Sequence, residues 1–172
     1  MAEGGPVSIV VMGVQGIGKS TIGEMLADQL DVAFVDGDTL HSDRNIELMA
    51  SGTPLTDADR VPWLSKIGAV LTSRAGVVVA CSALRRSYRD LLRTHSPMLY
   101  FVEPWGPIEL VRERVGARTH EYMPPALLQS QYDALEPLTG DERGIRVSVQ
   151  ATPKEIIAEV ASDYLAQTGA HA

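Results

Sequence analysis

Residues 13–20 read Gly-Val-Gln-Gly-Ile-Gly-Lys-Ser, and this stretch decides the fold. It matches the pattern GxxxxGK followed by Ser or Thr, which is the phosphate-binding loop in which backbone N–H groups and a helix N-terminus surround phosphates. A short apolar run at 8–12 precedes the loop, and apolar residues at helical spacing follow it over 22–30. The loop therefore lies between a predicted strand and a predicted helix, as the motif requires.

The residue types of the loop predict how it binds a nucleotide. Glycines let the backbone approach the phosphates without a Cβ in the way, Lys19 supplies a positive charge, and Ser20 offers its hydroxyl to Mg²⁺. We therefore assign nucleotide binding to eight residues of the loop and of the helix start: Gly13, Gln15, Gly16, Ile17, Gly18, Lys19, Ser20 and Thr21.

Outward from the loop, short apolar runs alternate with segments of helical periodicity. The candidate strands are 8–12, 32–35, 77–81, 99–102 and 145–149. Residues 152–155, Thr-Pro-Lys-Glu, form a capping box that begins a terminal helix. Strands that alternate with helices form parallel βαβ units. We therefore predict an α/β fold with a five-stranded parallel sheet, in one domain that spans residues 1–172.

Composition and charge exclude several classes of protein. The 15 basic and 22 acidic residues leave a net charge of −7, which argues against a nucleic-acid-binding protein. No apolar run approaches the roughly 20 residues of a membrane span, and the single cysteine, Cys81, fits a reducing compartment. We expect a cytoplasmic protein whose partners are small molecules, with no nucleic acid and no membrane among them.

Polar residues follow the second predicted strand, at the edge where α/β sheets place their ligands. Of Asp36 and Asp38, one can accept a proton from an attacking hydroxyl and the other can hold Mg²⁺ through water; the alternative is a turn that caps the next helix. His41, Arg44 and Asn45 follow at helical spacing. Their mixture of donors and acceptors suits a polyhydroxylated or carboxylated substrate.

The third predicted strand ends in Cys81, followed by a run of arginines. We interpret Cys81 as a buried core residue, since phosphoryl transfer needs no covalent thiol. Arg85 and Arg89 are candidates for binding carboxylates or phosphates, because guanidinium groups bind such anions through two parallel hydrogen bonds. A solvated helix face explains the same run equally well.

Two charged segments rich in Pro and Gly, about 40–60 and about 118–144, are too long for ordinary loops. We expect the first to bind substrate. Arg114, Arg118 and His120 introduce the second, which contains a short helical pattern at 127–135. The functional interpretation is a mobile lid that brings arginine to the transferring phosphoryl group, and the alternative is a static helical hairpin.

Several stretches of this chain closely resemble the gluconokinase family, and the resemblance covers residues 8–165. Beside the phosphate loop, the matching stretches are DGDTLH at 36–41, NI at 45–46, MASGTPLTD at 49–57, DR at 59–60, PWL at 62–64, CSAL at 81–84, YR at 88–89, MP at 123–124, LL at 127–128, SQ at 130–131 and LEPL at 135–138. Together they are far more specific than the phosphate loop, which many NTPases share.

This resemblance implies a P-loop NTPase fold like that of the nucleoside monophosphate kinases. Such a fold is a three-layer sandwich with a five-stranded parallel sheet and a helical lid. It also implies ATP and Mg²⁺ as cofactors, D-gluconate phosphorylated at its 6-hydroxyl to 6-phospho-D-gluconate, and a homodimer.

The resemblance further implies roles for single residues. Lys19 and Ser20 would act on ATP and Mg²⁺, and Asp38 would be the base, with Lys19 and Asp38 both catalytic. The remaining assignments are Asp36 for the metal, Arg114 for ATP, Arg118 for catalysis, and Asp38, His41, Arg44, Arg60, Arg85, Arg89, His120 and Gln131 for the substrate. Two positions depart from the family pattern: Gln15 replaces a small serine, and Arg85 stands where lysine is usual.

Three other functions share parts of this pattern. A kinase for shikimate or a nucleoside monophosphate would have the same fold and loop, although the residues from Gly37 to His41 with Asn45 argue against it. A regulatory module would bind ATP without an acceptor and would not need a polar pocket. A mechanical ATPase is disfavoured because the third strand ends in Cys81 and Ser82, with no acidic pair.

Overall fold

The computed structural model describes residues 7–73, 75–117 and 125–169, in which strands and helices alternate in the predicted order. The strands are β1 (Ser8–Val11), β2 (Ala33–Asp36), β3 (Val77–Ala80), β4 (Tyr100–Trp105) and β5 (Gly144–Ser148). The helices are α1 (Lys19–Leu30), α2 (Asp43–Ala50), α3 (Asp57–Ser73), α4 (Arg86–His95), α5 (Ile108–Ala117), α6 (Pro125–Ala134) and α7 (Pro153–Thr168). A 3-10 turn, Gly37–Leu40, follows β2.

The strands form one parallel sheet in the order β2-β3-β1-β4-β5, which confirms the predicted sheet. In its centre, β1 pairs with β3 and β4, so that Val11 lies opposite Ala80 on one side and Val102 on the other. Because all strands run in the same direction, their carboxyl ends meet at one edge of the sheet. The phosphate loop after β1 therefore lies between the segments that follow β3 and β4.

Helices cover both faces of the sheet and produce the predicted three layers. On one face, Leu64 of α3 and Leu92 of α4 pack against Phe101 of β4. On the other face, Leu26 of α1 and Val160 of α7 pack against the opposite sides of the same strands. All five side chains are 0% exposed, and burial of each contributes about 1.5–3 kcal/mol to the stability of the fold.

The stretch 135–143, which the sequence predicts as the end of a lid, is bonded to the sheet and to α4. Glu142 is buried and accepts hydrogen bonds from Arg89 of α4 at 2.7 and 2.9 Å. The backbone N–H of Leu138 donates to the buried carboxylate of Glu103 in β4 at 2.8 Å. These contacts attach 135–143 to the sheet and to α4, whereas the sequence places this stretch in the lid.

Candidate active site

The phosphate loop has the backbone conformation that its glycines allow. Gly13, Gly16 and Gly18 have φ values of 129°, 83° and 105°. At Gly16 a Cβ would also lie 2.5 Å from a methyl group of Val115. Since no side chain caps the start of α1 at Gly18, the first N–H groups of the helix are available to phosphate oxygens.

Lys19 lies at the start of α1 and reaches back over the loop. Its Nζ donates a hydrogen bond to the carbonyl oxygen of Val14 at 2.9 Å. This contact holds the ammonium group over the loop, where the phosphates of a nucleotide would lie. The backbone N–H of Gln15 donates to Oε1 of Gln131 in α6 at 2.7 Å. The structure thus brings Gln131 to the phosphate loop, although the resemblance implies a contact with the substrate.

The phosphate loop and the turn that carries Asp38 both contact the end of β3. The backbone N–H of Gly13 donates to the carbonyl oxygen of Ser82 at 3.0 Å, and a Cβ on Gly37 would lie 2.5 Å from the carbonyl oxygen of Ala80. Lys19, at the end of the loop, and Asp38 therefore lie at the same sheet edge. Cys81, between these two contacts, is 0% exposed, which confirms that it is a core residue, and burial is the main reason that its pKa is raised to about 12.

Asp36 and Asp38 have different surroundings. Asp36 ends β2, and its Oδ1 accepts a hydrogen bond from the backbone N–H of Asp38 at 3.0 Å, which caps the 3-10 turn. Between them, a Cβ on Gly37 would lie 2.5 Å from the carbonyl oxygen of Ala80. The side chain of Asp38 is 70% exposed. Asp38 thus has the more accessible carboxylate of the two.

His41 lies behind Asp38 in a buried polar network. Its ring stacks on the Trp63 indole, with centroids 4.1 Å apart and planes 16° apart. Its Nδ1 is 3.3 Å from Nδ2 of Asn45, and its Nε2 is 4.0 Å from Oδ1 of Asp38. Burial lowers the pKa of His41, and nearby Arg60 also lowers it, against the opposite effect of Asp38. The ring is therefore neutral near pH 7.

Arg60 and Arg85 lie near the Tyr88 phenol, on the side of the cleft that α4 forms. The Arg60 guanidinium is 5.3 Å from the Tyr88 ring centroid and donates to the Tyr88 hydroxyl at 3.3 Å and to the carbonyl of Leu55. Burial raises the pKa of Tyr88, a hydrogen bond to Asp57 raises it further, and both arginines lower it. The Arg60 guanidinium thus packs on the Tyr88 ring, and Arg85, the exposed N-cap residue of α4, lies one turn before Tyr88.

A separate groove lies between α2 and α3, with a volume of about 210 Å³. Arg44 lines it and is 3.7 Å from Asp59, with 77% of its side chain exposed. Successive residues of a helix lie about 100° apart, which places Lys66 of this groove on a different flank of α3 from Arg60. The described lining contains neither Asp38 nor the phosphate loop: Leu40, Ser42, Arg44, Asn45, Ala58, Asp59, Pro62, Trp63 and Lys66.

Two arginines that the sequence assigns to the site, Arg89 and Arg114, bond to other parts of the protein, and two further predicted residues lie outside the described residues. Arg89 was expected to bind the substrate, but it is 0% exposed and its guanidinium bonds to Glu142 and to the carbonyl of Ala83. This corrects the expectation, because the Arg89 charge is paired with Glu142 inside the protein and cannot contact a substrate. Arg114, expected at ATP, donates to the carbonyl of Val149 at 2.9 Å. The predicted residues Arg118 and His120 lie outside the described residues.

Sequence reasoning did not assign site roles to Asn45, Trp63 and Tyr88. Asn45 was grouped with His41 and Arg44 as a set that suits a substrate but was given no role of its own, and its four-residue separation from His41 was the available signal for their contact. Trp63 and Tyr88 looked like ordinary core aromatics, and both are indeed buried. Their indole N–H and phenol O–H groups, however, bond to the backbone of Gly37 and to Asp57 at 2.8 and 2.5 Å.

Fold and site together define a class of enzyme, the phosphate-loop kinases. The phosphate loop supplies the nucleotide site, and an acidic residue and cationic groups lie beside it at the same sheet edge. Residues 15–162 match the family model described as shikimate kinase, which agrees with this class.

Relatives that are 40% or more identical to this chain identify the particular family. The chain is 42% identical over 143 residues to the thermosensitive gluconokinase of Escherichia coli, covering 80% of this chain and 76% of that protein. It is 40% identical to the gluconokinase of Gluconobacter oxydans, covering 94% and 93%. The crystal structure of a gluconokinase from Sinorhizobium meliloti 1021 superposes with a TM-score of 0.89 and 46% identity, covering 95% and 94%. The chain belongs to the gluconokinase family.

Proposed function

We propose that the protein transfers the γ-phosphoryl group of ATP to the 6-hydroxyl of D-gluconate, producing 6-phospho-D-gluconate and ADP. The observation that carries the proposal is that the phosphate loop with Lys19 and the turn with Asp38 both contact the end of β3, through Gly13 and Gly37. A phosphate-binding charge and a proton acceptor at one sheet edge suit the transfer of a phosphoryl group to a hydroxyl. Relatives that are named gluconokinases support gluconate as the acceptor.

In the proposed reaction, the loop N–H groups and Lys19 bind the phosphates, and the substrate lies between Asp38 and the two arginines near Tyr88. The 6-hydroxyl oxygen forms a bond to the γ-phosphorus, and the bond to the oxygen that bridges the β and γ phosphates breaks. Asp38 takes the hydroxyl proton, and ADP carries away the bonding electrons. Arg60 and Arg85 pair with the gluconate carboxylate, since guanidinium groups bind carboxylates through parallel hydrogen bonds.

Mg²⁺ fits the donors at this edge, and we propose Ser20 and Asp36 as the residues that hold it. A hydroxyl and a carboxylate are oxygen ligands of the kind that Mg²⁺ prefers, and the ion usually keeps several waters and substrate phosphates. The described residues contain no group of three or more His, Cys, Asp or Glu that could hold a metal, which is compatible with an ion bound largely through ATP. Bound Mg²⁺ would neutralise charge on the phosphates.

The lid, the homodimer and the cytoplasmic location also belong to this proposal. Family membership supports all three, and the contact of Gln131 with Gln15 supports a lid whose helix α6 reaches the phosphate loop. We assign Arg118 and His120 to that lid. None of the helices in the described part of the chain has the length and apolar composition of a membrane span. Light scattering after size exclusion would measure the oligomeric state.

A coupled assay of ADP release across possible acceptors tests the proposed reaction. We expect D-gluconate to be used far better than glucose, because glucose has no carboxylate to pair with Arg60 and Arg85. Shikimate and AMP form the second comparison, because the family model that matches is that of shikimate kinase. Equal turnover of glucose and gluconate, or a preference for shikimate, would refute gluconate as the substrate and leave the kinase class intact.

A further inference from the structure

We infer that Asn45 is a positioning residue that fixes His41 in the tautomer with its proton on Nε2. His41 then donates a hydrogen bond next to Asp38 and does not compete with it as the base. The inference deepens the proposed function and rests on it for the identity of the acceptor. It follows from the hydrogen bonds that the Asn45 side chain makes with His41 and with the backbone of Asp59.

The orientation of the Asn45 amide is settled by the backbone of α3. Its Nδ2 is 3.0 Å from the carbonyl oxygen of Asp59. A carbonyl oxygen only accepts hydrogen bonds, so the atom that faces it must be the NH₂ group and not the amide oxygen. Asn45 is 3% exposed, and a reversed amide would place two acceptors against each other in a buried site.

The same NH₂ group then determines the state of the His41 ring. One of its two protons points to Asp59, and the other is available to Nδ1 of His41, 3.3 Å away. A nitrogen that accepts a hydrogen bond carries no proton, so in the neutral imidazole the proton is on Nε2. Burial lowers the pKa of His41, which keeps the ring neutral.

Trp63 holds both the ring and the turn in place. Its indole stacks on the His41 ring, and its Nε1 donates to the carbonyl of Gly37 at 2.8 Å. Gly37 lies between Asp36 and Asp38, so one side chain positions the ring and the turn that carries Asp38. The His41 side chain is 3% exposed, which leaves little freedom to rotate.

The distance between His41 and Asp38 suits a shared hydroxyl group. Nε2 and Oδ1 are 4.0 Å apart, too far for a direct hydrogen bond. A substrate hydroxyl oxygen about 2.8 Å from each would accept from Nε2–H and donate its own proton to Asp38. This arrangement aims the hydroxyl proton at the base and orients the remaining lone pair of the oxygen.

Long-range ¹H–¹⁵N NMR of the ligand-free protein tests the tautomer without any substrate. We expect a protonated Nε2 and an unprotonated Nδ1 for His41, with the His41→Gln variant used to assign the signals. In Asn45→Asp the new carboxylate accepts from Nδ1–H, so Nδ1 should become protonated. A wild-type ring protonated on Nδ1, or an unchanged ring in Asn45→Asp, would overturn the inference.

Activity measurements test the consequence for the reaction. His41→Gln retains an amide N–H near the position of Nε2, and His41→Ala does not. We expect His41→Gln to keep kcat/KM for gluconate about 2–10-fold higher than that of His41→Ala, the contribution of one hydrogen bond, with equal ATP affinity. Equal losses in both folded variants would overturn the donor role. An Nε2-protonated ring in a wild-type enzyme that does not turn over gluconate would refute the proposed function alone.

Discussion

The buried ion pair between Arg89 and Glu142 predicts a large loss of stability when Glu142 is replaced. Both side chains are 0% exposed, and Glu142 accepts hydrogen bonds from Arg89 at 2.7 and 2.9 Å and from Arg93 at 2.5 Å. Removing one partner leaves a buried charge uncompensated, which costs about 3–5 kcal/mol. Each kcal/mol lowers the Tm of a chain of this size by about 2–4 °C, so Glu142→Gln should melt about 6–20 °C below the wild type.

The neighbouring residue Asp141 provides a matched control. It also pairs with an arginine of α4, Arg86, at 2.8 Å, but these side chains are 40% and 65% exposed. An exposed pair contributes about 0–1 kcal/mol, so Asp141→Asn should lose at most about 4 °C. Thermal unfolding followed by circular dichroism at neutral pH measures both variants. Similar losses of Tm in the two variants would refute the argument that the Glu142 pair contributes more stability because it is buried.

The same pair should make stability depend on pH. Burial would raise the pKa of Glu142, but hydrogen bonds from Arg89 and Arg93 lower it to about 2. A carboxylate whose pKa is lowered on folding contributes stability that is complete above its unfolded pKa, near 4.5. That stability is lost as the pH falls through the folded value. The wild type should therefore lose more Tm between about pH 5 and about pH 2 than Glu142→Gln does.

Three further predictions concern the site. Lys19→Met should lower kcat by about 10²–10³-fold because it removes a charge that stabilises the transferring phosphoryl group. A variant with an unchanged circular dichroism spectrum and near-normal turnover would contradict the assignment of residues 13–20 to phosphate binding. Asp38→Asn should lower kcat by about 10²–10⁴-fold with ATP affinity little changed; a loss confined to ATP affinity would move Asp38 to the metal site. Arg60→Ala should raise KM for gluconate by about 10–100-fold, and Arg44→Ala should change it little; steady-state kinetics that show the reverse would place the carboxylate in the groove between α2 and α3.

Much of the fold was predictable because its signals are local. The five apolar runs and the helical periodicities each report on burial within one element, and the five strands lie within a few residues of the predicted positions. The phosphate loop was equally predictable, since the conformation of Gly13, Gly16 and Gly18 depends on residues next to them in the chain. Its place between β1 and α1 follows from the same local pattern.

The partners of the charged residues were not predictable in this way. The sequence presents Arg85, Arg86 and Arg89 as similar cations, yet Arg85 is exposed, Arg86 forms a surface pair, and Arg89 is fully buried. Glu142, the partner of Arg89, is 53 residues away in the chain. Only the packing of 135–143 against α4 brings the two residues together. No pattern of neighbouring residues indicates a contact between positions so far apart in the chain.

The same distinction holds for the site. The phosphate loop, the two aspartates after β2 and the family could be predicted from the sequence, because each depends on residue types at short fixed spacing. Three contacts could be found only in the folded protein: Trp63, 22 residues from His41, stacks on its ring, Asn45 bonds to the backbone of Asp59, and Arg60 packs against Tyr88. The physical reason is that hydrogen bonds, stacking and desolvation act over a few ångströms in space, and the order of strands in the sheet determines which distant segments come that close.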